Sequence, residues 1–131
     1  LGKLYSVPMY RLVARHLQPQ GKIVVQSTSP YFAPNAYWSV VATLEAAGLS
    51  TAPYHVYVPS FGEWGFVLAG FDKQFPVPQK FDVPTRYLNA QTAAEMFLFP
   101  PDMARRKVEP NYLNNQILVS YFENDWRNVT R

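Results

Sequence analysis

The chain has 131 residues, a length that suits one domain around one core. Apolar residues make up 48% and charged residues 16%, which excludes a disordered segment, and the absence of cysteine excludes disulfides, thiolate chemistry and cysteine-based zinc sites. The net charge of +3 comes from scattered basic residues, clustered only at Arg105-Arg106-Lys107, so no nucleic-acid partner is expected.

No apolar run approaches the length needed to cross a bilayer as a helix. The opening Leu1-Gly2-Lys3-Leu4-Tyr5 lacks an initiator Met and passes at once into a helical pattern, so a longer parent protein is expected. Met9, Leu12, Val13 and Leu17 recur near helical period and predict a helix over Leu4 to Leu17. Ser6 ahead of Pro8 suits a capped first turn, and Pro19 with Gly21 suits its end. Lys22 to Gln26 is a short, nearly continuous apolar run, which predicts a strand covered on both faces. The polar Ser27-Thr28-Ser29 follows it, just where open α/β sheets place ligands. Tyr37, Val40, Val41 and Leu44 share one face of a second predicted helix, Pro34 to Ala47, and Gly48 terminates it.

Pro53 to Ala69 reads as strand, bend, strand. Tyr54 to Val58 suits a pleated ribbon, and Pro59 ends it because proline cannot donate to a ladder. Gly62 serves the bend over Ser60 to Glu63, and Trp64 to Ala69 is the second strand. The short bend makes these two strands antiparallel, whereas the preceding strand–helix–strand unit can form a right-handed parallel crossover. The aromatic bend forms a rigid lip, and its surroundings are the candidate site. Phe71 to Pro84 is a proline-stiffened loop. Asn89 is expected to cap a short helix through Phe97, closed by Pro100-Pro101. Asn114 is expected to cap the last helix, with Leu118, Tyr121, Phe122 and Asp125 on one side.

The chemistry legible in these residues is sparse. His16 and His55 are the only histidines, and neither stands in a ligand-spaced motif. His16 reads as a partner for a helix C-terminus, His55 as a hydrogen-bonded strand residue. No glycine-rich phosphate loop and no nucleophile elbow is present. Glu63 and Trp64 read either as walls of a pocket for a cationic amine or as a solvated carboxylate beside a packing indole. Gln26, an amide closing an apolar strand, must be hydrogen-bonded or face a cavity.

The wording of three blocks carries a resemblance. They are Leu1-Gly2-Lys3-Leu4-Tyr5-Ser6, Val25-Gln26-Ser27-Thr28-Ser29-Pro30-Tyr31-Phe32-Ala33-Pro34, and the strand–bend–strand block through Phe61-Gly62-Glu63-Trp64-Gly65. With Phe99-Pro100-Pro101-Asp102-Met103 and Tyr121-Phe122-Glu123-Asn124-Asp125-Trp126 in the tail, the chain resembles the second half of the catalytic domain of spermidine synthases, the polyamine aminopropyltransferases. The likeness is to a bacterial branch with a membrane-spanning N-terminal part.

The resemblance implies an α/β fold: the C-terminal half of a Rossmann-like, methyltransferase-type sheet, with three strands, a terminal antiparallel hairpin, flanking helices and a helical C-terminal tail. Residues 1–131 would form one partial domain, with the half-sheet unit in 1–70 and the loop and helical extension in 71–131. The last strand would lie between the other two, antiparallel to both. The first strand would then have a free edge, which predicts a homo-oligomer. The implied reaction moves an aminopropyl group from decarboxylated S-adenosylmethionine to putrescine. Gln26 matches the family's strand-end glutamine near the amine. Phe61 stands where many relatives carry a tyrosine whose hydroxyl helps bind the diamine. Tyr31, Glu63 and Trp64 would line the same cavity. The glycine-rich loop and catalytic aspartate would lie upstream, leaving this chain inactive alone, without cofactor or metal, as a cytoplasmic domain of a membrane-embedded parent. A related transferase with another acceptor and a non-catalytic binding module remain alternatives.

Overall fold

In the computed structural model, which describes residues 2–129, a 3-10 turn (Gly2–Tyr5) leads into helix α1 (Val7–His16) through Ser6. The Ser6 hydroxyl accepts from the Met9 amide at 3.4 Å and donates to the Lys3 carbonyl at 2.8 Å, so the cap expected of Ser6 forms. The α-helix starts three residues later than its apolar pattern, because the 3-10 turn takes its beginning.

Strand β1 (Lys22–Gln26) has the expected bounds but not the expected double cover. Ile23 and Val25 pack on the core, while Val24 is 56% exposed and Lys22 and Gln26 are exposed. The strand alternates because only one layer of helices lies against it among the described residues.

Helix α2 (Pro34–Ala46) buries Tyr37, Val40, Val41 and Leu44 on the face its periodicity predicts. Its N-cap, Ala33, has no side chain able to cap. Asp125 of helix α4 (Ile117–Val129) does so instead, accepting from the Ala36 amide at 2.9 Å and the Asn35 side chain at 2.8 Å. Gly48, at φ +95°, ends the helix.

Strands β2 (Ser50–Val58) and β3 (Gly62–Gly70) form a longer hairpin than predicted, because β3 pairs with β2 along its whole length, from Val58↔Gly62 to Ser50↔Gly70. Pro53 is tolerated because β2 is an edge strand. The sheet order is β1-β3-β2, with β3 antiparallel to both neighbours, as the resemblance implied. The fold is α/β, consistent with part of a Rossmann-like, methyltransferase-type sheet.

The second half packs back onto the first. Asn89 caps helix α3 (Ala90–Met96) through a reciprocal pair of bonds with Thr92. Trp38 donates its indole N–H to the Met103 carbonyl at 3.2 Å. Buried Asn111 donates to the carbonyls of Gly2 and Tyr5 and accepts from the Leu118 amide. The start of α4 is therefore served by Asn111 and by Asn115, which accepts from the Ile117 amide, and not by Asn114. A left-handed Gln116 (φ +43°) separates Asn114 from the helix start.

The basic cluster is partly structural. Arg105 pairs with Glu45 and lies over the Trp38 ring at 5.7 Å. Partial burial by itself raises the Glu45 carboxyl. Hydrogen bonds from Arg105 and Thr51 and the Arg105 charge outweigh it and hold the group below its usual range. Among the described residues no helix is long and apolar enough to cross a membrane.

Candidate functional site

At the carboxyl end of β1 lies a cavity of about 280 Å³. Gln26, Ser27 and Thr28 form its strand-end wall. Tyr5, Val40, Leu118 and Phe122 close it with apolar surface from the N-terminal turn, α2 and α4. The polar turn after the first strand thus does border a cavity, as its position in an open sheet predicts.

Directly paired residues of neighbouring strands share a face. Gln26 pairs with Phe66, and Phe66 with Tyr54, so all three lie on the face turned away from α2. Trp64, two residues before Phe66, lies on that face too. The Phe61 ring meets Trp64 edge-on at 6.1 Å and is 68% exposed. Gln26, Trp64 and Phe61 therefore run in series from the strand end to the lip. The indole N–H of Trp64 is buried and has no hydrogen-bond partner among the described residues.

Glu63 is not in that series. Successive strand residues point to opposite faces, so Glu63 and Trp64 cannot be two walls of one pocket on this strand. Glu63 faces His55 instead, with its carboxylate 2.9 Å from the imidazole Nδ1. The other ring nitrogen of His55 faces the Leu98 carbonyl at 2.5 Å, and the ring packs on Phe99. His55 is thus the hydrogen-bonded strand residue its alternation suggests.

Tyr31 is 51% exposed and its ring meets Phe32 edge-on. Phe32 lies against Gly62, where an added Cβ would come within 3.3 Å of its ring, and stacks on Trp126. Tyr31 thus flanks the hairpin bend, and the cavity lining includes Gln26 but not Tyr31, Phe61, Glu63 or Trp64. His16 stands apart at the end of α1, its Nδ1 2.9 Å from the Leu12 carbonyl. No group of three or more acidic or histidine side chains that could hold a metal occurs among the described residues.

The junction of the cavity wall and the lip was missed in the sequence. Gly65 accepts from the Ser27 amide at 2.9 Å and donates to the Thr28 carbonyl at 2.6 Å, extending the β1–β3 pairing past Gln26. The signal was present: an isolated glycine among bulky strand residues marks a close approach by another group. Here that group is the ring of Tyr37.

Residues 2–81 match the spermine/spermidine synthase domain family. This chain belongs to that family. The matched span holds the whole sheet and Gln26, Tyr31, Phe61, Glu63 and Trp64. Over 132 aligned positions the chain is 59% identical to polyamine aminopropyltransferase 2 of Ralstonia nicotianae, covering 100% of this chain and 26% of that relative. It is 44% identical to a polyamine aminopropyltransferase of Leptospira interrogans, over 98% of this chain and 26% of the relative. It is 40% identical to one of Mycobacterium tuberculosis, over 96% of this chain and 24% of the relative. This family member thus spans about a quarter of the length of these relatives. The alignments reach beyond residue 81 into the segment that carries α3 and α4.

Proposed function

We propose that this chain is the acceptor side of a polyamine aminopropyltransferase. The donor is decarboxylated S-adenosylmethionine, and the acceptor is putrescine or a similar small polyamine. The amine lone pair attacks the carbon beside the sulfonium. A C–N bond forms, the C–S bond breaks, and the sulfur keeps the pair and leaves as methylthioadenosine. A carboxylate takes the proton from the attacking nitrogen. The sulfonium is already a good leaving group, so the protein's tasks are alignment and deprotonation.

The observation that carries this reading is Gln26, exposed at the end of β1 on the same sheet face as Trp64, in a chain of this family. The Gln26 amide oxygen accepts from the ammonium end of the diamine. Trp64, Phe61 and Tyr31 offer aromatic faces along its path. Glu63, engaged by His55, adds negative charge behind the lip rather than a direct contact. The catalytic carboxylate and the donor-binding loop belong to the rest of a longer, membrane-anchored protein, of which this is a cytoplasmic, partial domain. The free edge of β1 contributes to a homo-oligomeric contact.

A second reading, a related transferase with another acceptor, is favoured by Phe61, whose ring has no hydroxyl to offer a diamine. One assay tests both. The full-length protein is expected to transfer aminopropyl groups to putrescine, and the 131-residue chain alone to remain at the buffer rate. Turnover by the isolated chain refutes the division of labour. Full-length turnover only with another amine supports the second reading.

A further inference from the structure

Tyr37 is fully buried in α2, yet it reaches the point where the cavity wall and the aromatic lip join. A Cβ added to Gly65 would lie 2.4 and 2.6 Å from two carbons of the Tyr37 ring, so the ring fills the place of a side chain on β3. Its hydroxyl lies 3.0 Å from the Phe66 carbonyl and 3.2 Å from the Tyr54 carbonyl, acceptors on two paired strands. Gly65, pressed against this ring, holds Ser27 and Thr28 of the cavity wall by two backbone hydrogen bonds. Thr28 sits in the left-handed region at φ +60°, which persists only where neighbours hold it. Trp64 directly precedes Gly65.

We infer that Tyr37 is a positioning residue that sets the spacing between Gln26 and the Trp64–Phe61 lip, and so governs acceptor binding. This rests on the aminopropyltransferase reading above. Tyr37 touches no substrate; it acts through Gly65, Phe66 and Tyr54. Burial pushes its phenol far above the ordinary tyrosine range, so it stays an O–H donor throughout the working pH range. Without that hydroxyl the two carbonyls lose a shared donor, and the hairpin shifts against the end of β1.

The test is Tyr37→Phe in the full-length protein, which keeps the ring and removes only the hydroxyl. Transfer by the wild type is measured first; if the wild type transfers nothing to any amine, the functional reading fails and not the positioning role. In an active background, Y37F is expected to raise the putrescine KM about tenfold and leave the donor KM and kcat within about twofold. The thermal midpoint is expected to fall by a few degrees, with the variant still folded at the assay temperature. Unchanged acceptor KM overturns the inference. So does a variant that does not fold, or one in which both KM values rise and kcat falls together, because either result makes Tyr37 merely structural.

Discussion

On the α2 side of the sheet, Ile23, Val25, Val67 and Ala69 pack against Val40, Val41 and Leu44. On the other side Val24 is more than half exposed, and Gln26, Trp64 and Phe66 run toward a lip that ends in solvent-facing Phe61. The first face buries apolar area and supplies stability. The second carries the polar and aromatic groups with unfilled capacity, including an indole N–H without a partner among the described residues. Exposed polar and aromatic side chains are thus segregated from core packing by the period-two alternation of one small sheet. Tyr37 links the two, since its ring fills the place of a side chain at Gly65 and its hydroxyl reaches the backbone carbonyls of Tyr54 and Phe66, whose side chains lie on the open face.

The sharpest way to break this contrast is a pair of truncations. Leu44→Ala, on the packed side, is expected to cost about 2–5 kcal/mol of unfolding free energy, whereas Val24→Ala, on the open side, costs only about 0.5 kcal/mol. Denaturant unfolding of both variants measures this, and equal losses would mean that the open face is also core. Asp125→Ala comes next. It removes the cap that α4 lends to α2 and leaves the Ala36 amide buried without an acceptor, at an expected cost of about 1–2 kcal/mol.

The smallest effect concerns pH. The Glu45 carboxyl lies below its usual range in the folded chain, so its contribution is fully present above the unfolded value of about 4.3. That contribution is lost as pH falls through the lower folded value. Glu45→Gln is expected to flatten the acid side of the stability profile slightly, because the pair with Arg105 is largely solvent-exposed. A profile of unchanged slope would show the pair to be idle.

Local patterns were read well where the deciding forces are local. The 3.6-residue recurrence of Tyr37, Val40, Val41 and Leu44 marks the buried face of α2, and Lys22–Gln26 is a strand with its predicted bounds. The capping of α3 by Asn89 followed from side-chain chemistry within three residues. What escaped depends on distant partners. Nothing near Ala33 signals that Asp125, far along the chain, caps its helix. The apolar run of β1 looked doubly covered, yet its second face is open among the described residues. At the site, Gln26 was singled out as an amide that must face a partner or a cavity, and it stands exposed at the end of β1, at the border of the strand-end cavity. The pairing of Glu63 with His55 was not, because it crosses strands in a register that the sequence does not announce.

Gln26→Ala in the full-length protein, assayed with both substrates varied in turn, addresses the acceptor-side assignment head-on. The expected result is a loss of about tenfold or more in kcat/KM for putrescine, with the donor KM unmoved. An unmoved putrescine parameter alongside a raised donor KM would contradict it and put the strand-end cavity on the donor's side of the reaction.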